Sequence, residues 1–98
     1  MTQSYILSPR AQLDLKSIKI DSLREWGPEL TEAYLGKIES RLNWLAEKPA
    51  LGRSRDDIRK GFRSYSEGRH IIFYRIGDSS IEIVGIPHQR QDVDRFFG

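Results

Sequence analysis

The spacing of apolar residues divides this chain into a helical first half and a second half with strand periodicity. Before Gly52, apolar side chains recur every three or four positions, which is the period of an α-helix. After Gly52 the spacing shortens to two, and β-branched and aromatic residues become frequent. The pattern therefore predicts an α+β fold in which one short N-terminal strand is followed by two helices and then by three strands.

Two helices are predicted on either side of the sequence Trp26-Gly27-Pro28. Ser8 is a good N-cap and Pro9 suits the first helical position, so the first helix begins there and ends before Gly27. The second helix runs from Pro28 to about Glu47. Its apolar positions are Leu30, Tyr34, Ile38, Leu42 and Leu45. Because the break between the helices is so short, we expect an antiparallel helical hairpin.

The remaining segments predict strands, most of them in a meander. They are Ser4–Leu7, Phe62–Ser66, Arg69–Ile76 and Ile81–Ile86, with Asp92–Phe97 as a short helical turn or tail. We expect the N-terminal strand and the helical hairpin to pack on one face of a small antiparallel sheet. Gly85 and Pro87 interrupt the last strand, which should stop at about Ile86 because proline lacks a backbone donor.

The strand pattern also suggests which side chains meet the helices. The residues expected beneath the hairpin are Ile71, Phe73, Ile81 and Ile83. The residues expected on the opposite face are Tyr74, Arg75 and Glu82. We expect that face to be left open to a partner.

Composition narrows the class of protein. With 98 residues, the chain is expected to form one domain over residues 1–98. It has no cysteine, no apolar run long enough to span a membrane, and no signal-peptide pattern, so we expect a cytoplasmic protein. The net charge is only +2, yet seven Arg or Lys face three Asp or Glu between Gly52 and Arg75. This local excess favours an acidic partner.

Several segments, taken in order, resemble the ParE toxins of the RelE/ParE superfamily. They are Trp26-Gly27, the corner from Pro49 to Arg53, Gly61–Arg63, His70–Arg75 and His88–Asp92. The resemblance implies a toxin of a ParD–ParE toxin–antitoxin module that inhibits DNA gyrase and is neutralised by a ParD-like antitoxin. It implies a hetero-oligomer that reaches operator DNA only through the antitoxin, with no cofactor and no membrane association.

The same superfamily contains RelE-like ribonucleases, so the fold alone does not decide the function. RNA cleavage without metal needs groups that transfer protons and hold a phosphorane's charge. The nuclease branch has a C-terminal Tyr, often beside a His. Here Gln89 follows His88, and no Tyr occurs after Tyr74. We therefore predict no catalytic residue. A ribosome-dependent mRNA endoribonuclease and a nontoxic antitoxin-binding member remain as alternatives.

Two sets of site residues follow from the resemblance. The predicted antitoxin-binding residues are Arg53, Arg59, Arg63, Tyr65, Tyr74 and Arg75. The predicted toxicity surface consists of His88, Gln89, Arg90, Asp92, Phe96 and Phe97. We expect His88 to fix the strand end by hydrogen bonds to Asp92 or to the backbone, and Asp92 to cap the last helical turn. The two histidines lack metal-ligand spacing, so no metal site is expected.

Overall fold

The computed structural model describes residues 4–97 and confirms the α+β class. The elements in chain order are β1 (Ser4–Leu7), α1 (Pro9–Trp26), α2 (Pro28–Glu47), a 3-10 turn (Pro49–Leu51), β2 (Arg53–Ser54), β3 (Phe62–Glu67), β4 (His70–Ile76), β5 (Ser80–Gly85) and α3 (Val93–Phe97). They form a five-stranded sheet in the order β1-β5-β4-β3-β2, on which the helical hairpin packs.

Local sequence signals set the ends of both long helices. The Ser8 hydroxyl accepts a hydrogen bond from the Ala11 amide at 3.0 Å, which satisfies one free donor of the first turn. Gly27 has φ of +81°, a conformation that glycine adopts without steric cost, and its amide donates to the Leu23 carbonyl at 3.1 Å. The predicted break between α1 and α2 is thus confirmed.

The sheet contains two pairings that the sequence pattern did not predict. β3, β4 and β5 form the expected antiparallel meander, but β1 pairs with β5 in parallel, with Tyr5 opposite Ile81. The polar segment after Gly52 contains the two-residue strand β2, in which Arg53 lies opposite Ser64 of β3. β1 and β2 therefore form the two edges of the sheet.

The prediction of which β4 residues meet the helices is wrong. Ile72 and Tyr74 lie in the core with Ile81 and Ile83, and Tyr74 is 0% exposed. Phe73 points to the opposite face. The four consecutive apolar residues of this strand, Ile71 to Tyr74, do not indicate by themselves which alternate set faces the hairpin.

The prediction that the opposite face is left open is wrong in part, because α3 covers some of that face. The Phe97 ring lies 5.3 Å from the Phe62 ring and 5.0 Å from the Phe73 ring, centroid to centroid. A Cβ on Gly85 would come within 2.6 Å of Phe96. The glycine that interrupts the last strand therefore makes room for the C-terminal helix.

The last strand ends close to its predicted end, but the residues after it continue to form backbone hydrogen bonds with β4 and with the residue before it. β5 ends at Gly85, and the Pro87 carbonyl then accepts a hydrogen bond from the Ile71 amide at 2.9 Å. The Gln89 amide donates to the Arg69 carbonyl at 2.8 Å. Within residues 4–97, no helix is long and apolar enough to cross a membrane.

Candidate partner-binding surfaces

His88 sits in a tight turn that is fixed by backbone hydrogen bonds. Its Nδ1 atom accepts from the Arg90 amide at 3.1 Å, and its own amide donates to Gln91 Oε1 at 3.4 Å. The ring thus bonds to the backbone, one of the two expected arrangements. Throughout the described chain, no carboxylate lies within hydrogen-bonding distance of this ring. His88 therefore has no companion acid in this geometry.

Asp92 caps the C-terminal helix as expected. Its Oδ1 accepts from the Asp94 amide at 3.1 Å, and its carbonyl accepts from the Phe96 amide at 2.9 Å. Among the six residues of the predicted toxicity surface, Gln89, Arg90 and Asp92 are exposed, and His88 and Phe97 are partly buried. Phe96 is only 8% exposed, so its ring contributes mainly to attachment of the helix.

His70 lies directly beside His88 at the end of the molecule where the helical hairpin turns. The two ring centroids are 5.3 Å apart, and His70 Nδ1 lies 2.6 Å from the Tyr34 hydroxyl. Burial, helped by the nearby His88 and Arg69, lowers the pKa of His70 to about 4. The side chain is consequently neutral at neutral pH and serves as a hydrogen-bonding link between α2 and β4.

The structure divides the predicted antitoxin-binding residues between the two faces of the sheet. Arg53 and Arg75 belong to the face that carries α3, and Arg59 reaches the end of α3. Arg63, Tyr65 and Tyr74 belong to the helix face. These six residues therefore do not form one continuous patch.

Most of these side chains already have partners within the chain. Arg75 Nε lies 2.6 Å from Glu82 Oε1, and Arg63 Nη1 donates to the Gly52 carbonyl at 2.7 Å. The Tyr65 ring packs edge-on against Trp44 at 5.1 Å. Buried Tyr74 has no exposed surface to offer a partner, so the prediction that it lies on an open face is wrong. Exposed Arg53 has no ion-pair partner in the described chain.

A groove lies between the two long helices and β1, and the sequence pattern did not predict it. Its floor is apolar and its rim is polar. The floor is formed by Tyr5, Leu15, Leu35, Ile38 and Leu42, and the rim by Gln12, Lys16, Lys19 and Glu39. The local signal in α1 is too weak to predict a groove: Lys16 and Lys19 follow Leu15 at positions next to the apolar stripe, and a charge beside such a stripe is usually just solvated.

The groove adjoins a free sheet edge. β1 pairs with β5 on one side only, and Ile6 of this strand is 55% exposed. An edge strand presents backbone donors and acceptors that can pair with an added strand. Groove and edge together can receive an amphipathic helix followed by an extended segment. In contrast, the residues the structure describes contain no group of three metal-ligating side chains.

Comparisons with known proteins identify the family of this chain. A family model described as the ParE toxin of type II toxin-antitoxin system, parDE, matches residues 5–93. Toxin ParE1 of Mycobacterium tuberculosis (strain H37Rv) is 41% identical over 96 residues, covering 97% of this chain and 98% of the relative. Toxin ParE1 of Caulobacter vibrioides is 33% identical over 94 residues, covering 96% of this chain and 97% of the relative.

A solved structure supports the fold independently. The chain is similar to one described as the chromosomal ParDE TA system from P. aeruginosa, with a TM-score of 0.75 and 20% identity, covering 89% of this chain and 96% of that one. The resemblance seen in the sequence segments is confirmed. The chain belongs to the ParE toxin family of type II toxin–antitoxin systems.

Proposed function

We propose that this toxin inhibits DNA gyrase by docking onto it, without catalysis, and that a ParD-like antitoxin neutralises it. The observation that carries the proposal is the chemistry of the C-terminal segment. The His88 ring accepts a backbone hydrogen bond and has no carboxylate partner in the described chain, and the next residue, Gln89, does not transfer protons near neutral pH. A general acid–base pair needs two titrating groups within reach of one substrate.

The packing of the segment also favours docking. Asp92 caps α3, and α3 is held on the sheet by its two phenylalanine rings. Gln89 and Arg90 occupy defined positions on an exposed surface, because the Gln89 amide donates to the Arg69 carbonyl and the Arg90 amide to His88 Nδ1. A preorganised surface binds a protein with a smaller entropy cost than a mobile one.

The gyrase proposal is tested by a supercoiling assay with purified protein. We expect the toxin to inhibit supercoiling by gyrase and to leave mRNA intact in a translation extract. Addition of the ParD-like protein should restore supercoiling. Cleavage of translated mRNA with no effect on supercoiling would instead establish the ribonuclease alternative, and activity in neither assay would favour a nontoxic antitoxin-binding member.

We further propose that the antitoxin occupies the groove between the helices and β1. Its apolar floor suits the apolar face of a helix, and Lys16 and Lys19 on the rim suit acidic side chains on that helix. The free edge of β1 suits an extended segment. Arg53, Arg59, Arg63, Tyr65 and Arg75 remain predicted contacts of the same partner, while Tyr74 is removed because it is buried.

Charge reversal tests the groove. The double variant Lys16→Glu/Lys19→Glu should weaken binding of the ParD-like protein at least about tenfold, because like charges then meet across the rim. Both lysines are exposed, so the fold should be unaffected. Arg24→Glu is the control, since it reverses one exposed charge on the same helix outside the groove. If only net charge mattered, the double variant would lose about twice the binding free energy that Arg24→Glu loses, and that result would contradict the groove as the binding site.

A further inference from the structure

The C-terminal helix α3 is too short to be stable by itself. It has five residues, whereas isolated helices shorter than about 12 residues are marginal in water. Its position must come from contacts with the rest of the chain. The sheet supplies one set, since the Phe97 ring lies on Phe62 and Phe73 and the absence of a side chain at Gly85 gives it room.

Arg10 of α1 supplies a second contact. The centre of its guanidinium lies 3.9 Å from the centroid of the Phe96 ring, a close cation–π arrangement. Asp14, one turn further along α1, holds this arginine at 3.5 Å, and its other oxygen accepts from the Ile86 amide at 2.8 Å. A single pair of side chains thus connects α1, the end of β5 and α3.

Arg59 supplies a third contact from a different part of the chain. It lies in the turn between β2 and β3, and its Nη2 atom donates to the Phe97 carbonyl at 2.7 Å. A carbonyl in the last turn of a helix lacks an intrahelical donor, so a cationic side chain is a favourable partner there. Two arginines from separate elements therefore hold the consecutive residues Phe96 and Phe97.

We propose that Arg10 and Arg59 are positioning residues that fix the toxicity surface on the sheet and thereby control its binding to gyrase. The proposal rests on the proposed function. It assigns Arg59 a role inside the toxin in addition to the antitoxin contact that the family resemblance implies. Neither arginine needs to touch gyrase, since each acts through the placement of α3.

The test uses Arg10→Ala, Arg59→Ala and the double variant in the full chain. Arg24→Ala and Lys60→Ala are matched controls, because each removes one exposed positive charge from the same helix or the same turn. Within residues 4–97, neither control residue makes a hydrogen bond, an ion pair or a cation–π contact with α3. Arg10→Lys is a conservative variant that keeps a cation over the Phe96 ring, so α3 should stay close to its wild-type stability.

Hydrogen exchange measures the placement of α3 directly. The Phe96 amide donates to the Asp92 carbonyl within the helix, so its exchange reports whether α3 remains formed. We expect exchange about threefold to tenfold faster in each alanine variant, which corresponds to loss of the cation–π contact of Arg10 or of the Arg59 hydrogen bond to a carbonyl in the last helical turn. The Ile72 amide in the central strand should exchange at the wild-type rate, which shows that the fold is intact.

Gyrase inhibition measures the functional consequence. The toxin concentration for half-inhibition of supercoiling should rise in each single variant by up to about tenfold, the limit set by the increased opening of α3, and further in the double variant. Unchanged Phe96 exchange would overturn the proposal, and so would faster exchange with unchanged inhibition. If the wild-type protein does not inhibit gyrase, the proposed function fails, while hydrogen exchange still decides whether the two arginines position α3.

Discussion

The hydroxyl of Tyr74 ties the central strand to the 3-10 turn that follows α2. It donates to the Pro49 carbonyl at 2.6 Å and accepts from the Gly52 amide at 2.9 Å, in a site where the ring has no exposed surface. Gly52 has no room for a side chain, because a Cβ there would overlap the tyrosine oxygen. The hydroxyl therefore sets the position from which β2 begins.

Tyr74→Phe should lower the free energy of unfolding by about 1–3 kcal/mol, because the Gly52 amide loses its buried acceptor. Tyr65→Phe is the matched control. Its hydroxyl has no hydrogen-bond partner among residues 4–97, so a change within about 0.5 kcal/mol is expected. Urea unfolding at neutral pH measures both. Equal losses in the two variants would contradict the role assigned to the Tyr74 hydroxyl.

His70 should make stability depend on pH. Its pKa is about 4 in the folded chain and 6.5 in the unfolded one, so below pH 6.5 the unfolded state binds a proton that the folded state does not. Stability should be full above about pH 6.5 and fall as the pH drops toward 4. Tyr34, Arg69, His88 and Asp21 surround the ring and help to set this range.

The change His70→Asn removes the titrating group and keeps an acceptor near the position of Nδ1. We expect the fall in stability between pH 6.5 and 4 to be smaller in this variant than in the wild-type chain. Urea unfolding across that range measures the difference. Parallel curves for the two proteins would show that His70 does not carry the dependence.

Gly36 in α2 and Gly85 in β5 have opposite surroundings, so alanine should have opposite effects at the two positions. Gly36 lies in the exposed interior of α2, where an added Cβ would meet nothing within 4 Å. Gly85 lies at the end of β5, where an added Cβ would meet both phenylalanines of α3. The first glycine only adds chain entropy in the unfolded state, whereas the second allows α3 to pack on the sheet.

Alanine at the two positions should therefore have opposite effects. Gly36→Ala should stabilise the protein by about 0.5–1 kcal/mol, since alanine is the better helix former. Gly85→Ala should destabilise it by about 1–3 kcal/mol, since the crowded rings must move. Thermal unfolding of both variants measures this. A neutral Gly85→Ala would contradict the packing of α3 against β5.

At the scale of the whole molecule, the proposed groove and the α3 part of the predicted toxicity surface lie on different sides of the sheet. The groove belongs to the helix side, with Lys16 and Lys19 on its rim, and the toxicity surface includes α3 on the other side. Antitoxin bound in the groove would still need to block the toxicity surface. The predicted contacts Arg53 and Arg75, on the same face as α3, offer a route for an extended segment to do so.

His88→Ala separates docking from catalysis in the living cell. If His88 were a general base, its loss would lower activity about 100- to 10,000-fold. If His88 is only one residue of a docking surface, its replacement by alanine should weaken the growth arrest caused by the toxin by no more than about tenfold. Growth arrest under titrated expression, compared at equal protein levels, measures this. Complete loss of arrest with an intact fold would favour catalysis.

Much of the fold follows from local sequence signals. Ser8 caps α1 with its hydroxyl, whereas Gly27 and Pro28 set the break between the helices through their backbone preferences, and these predictions hold. Which β4 residues face the helical hairpin could not be predicted in the same way. Four adjacent apolar residues fit either face of the sheet, and α3 buries the face opposite the hairpin as well. The parallel place of β1 beside β5 depends on residues more than 70 positions apart.

The site was predicted less fully than the fold. The segment His88–Asp92 could be identified because its residue types stand together in the sequence. The groove could not, since Tyr5, Leu15 and Leu35 come from three elements and look like ordinary core positions. The contacts of Arg10 and Arg59 with α3 left no local pattern in the sequence, because the partners of these arginines are 86 and 38 residues away.

The most direct test of the central claim is the stoichiometry of inhibition. Purified toxin is titrated into gyrase held well above the dissociation constant, and supercoiling activity and the integrity of translated mRNA are followed together. A docking inhibitor should abolish supercoiling in proportion to the toxin added, with saturation near equivalence and no mRNA cleaved. Transcripts cut by toxin present in far smaller amount than its substrate would contradict the account, because only a catalyst turns over.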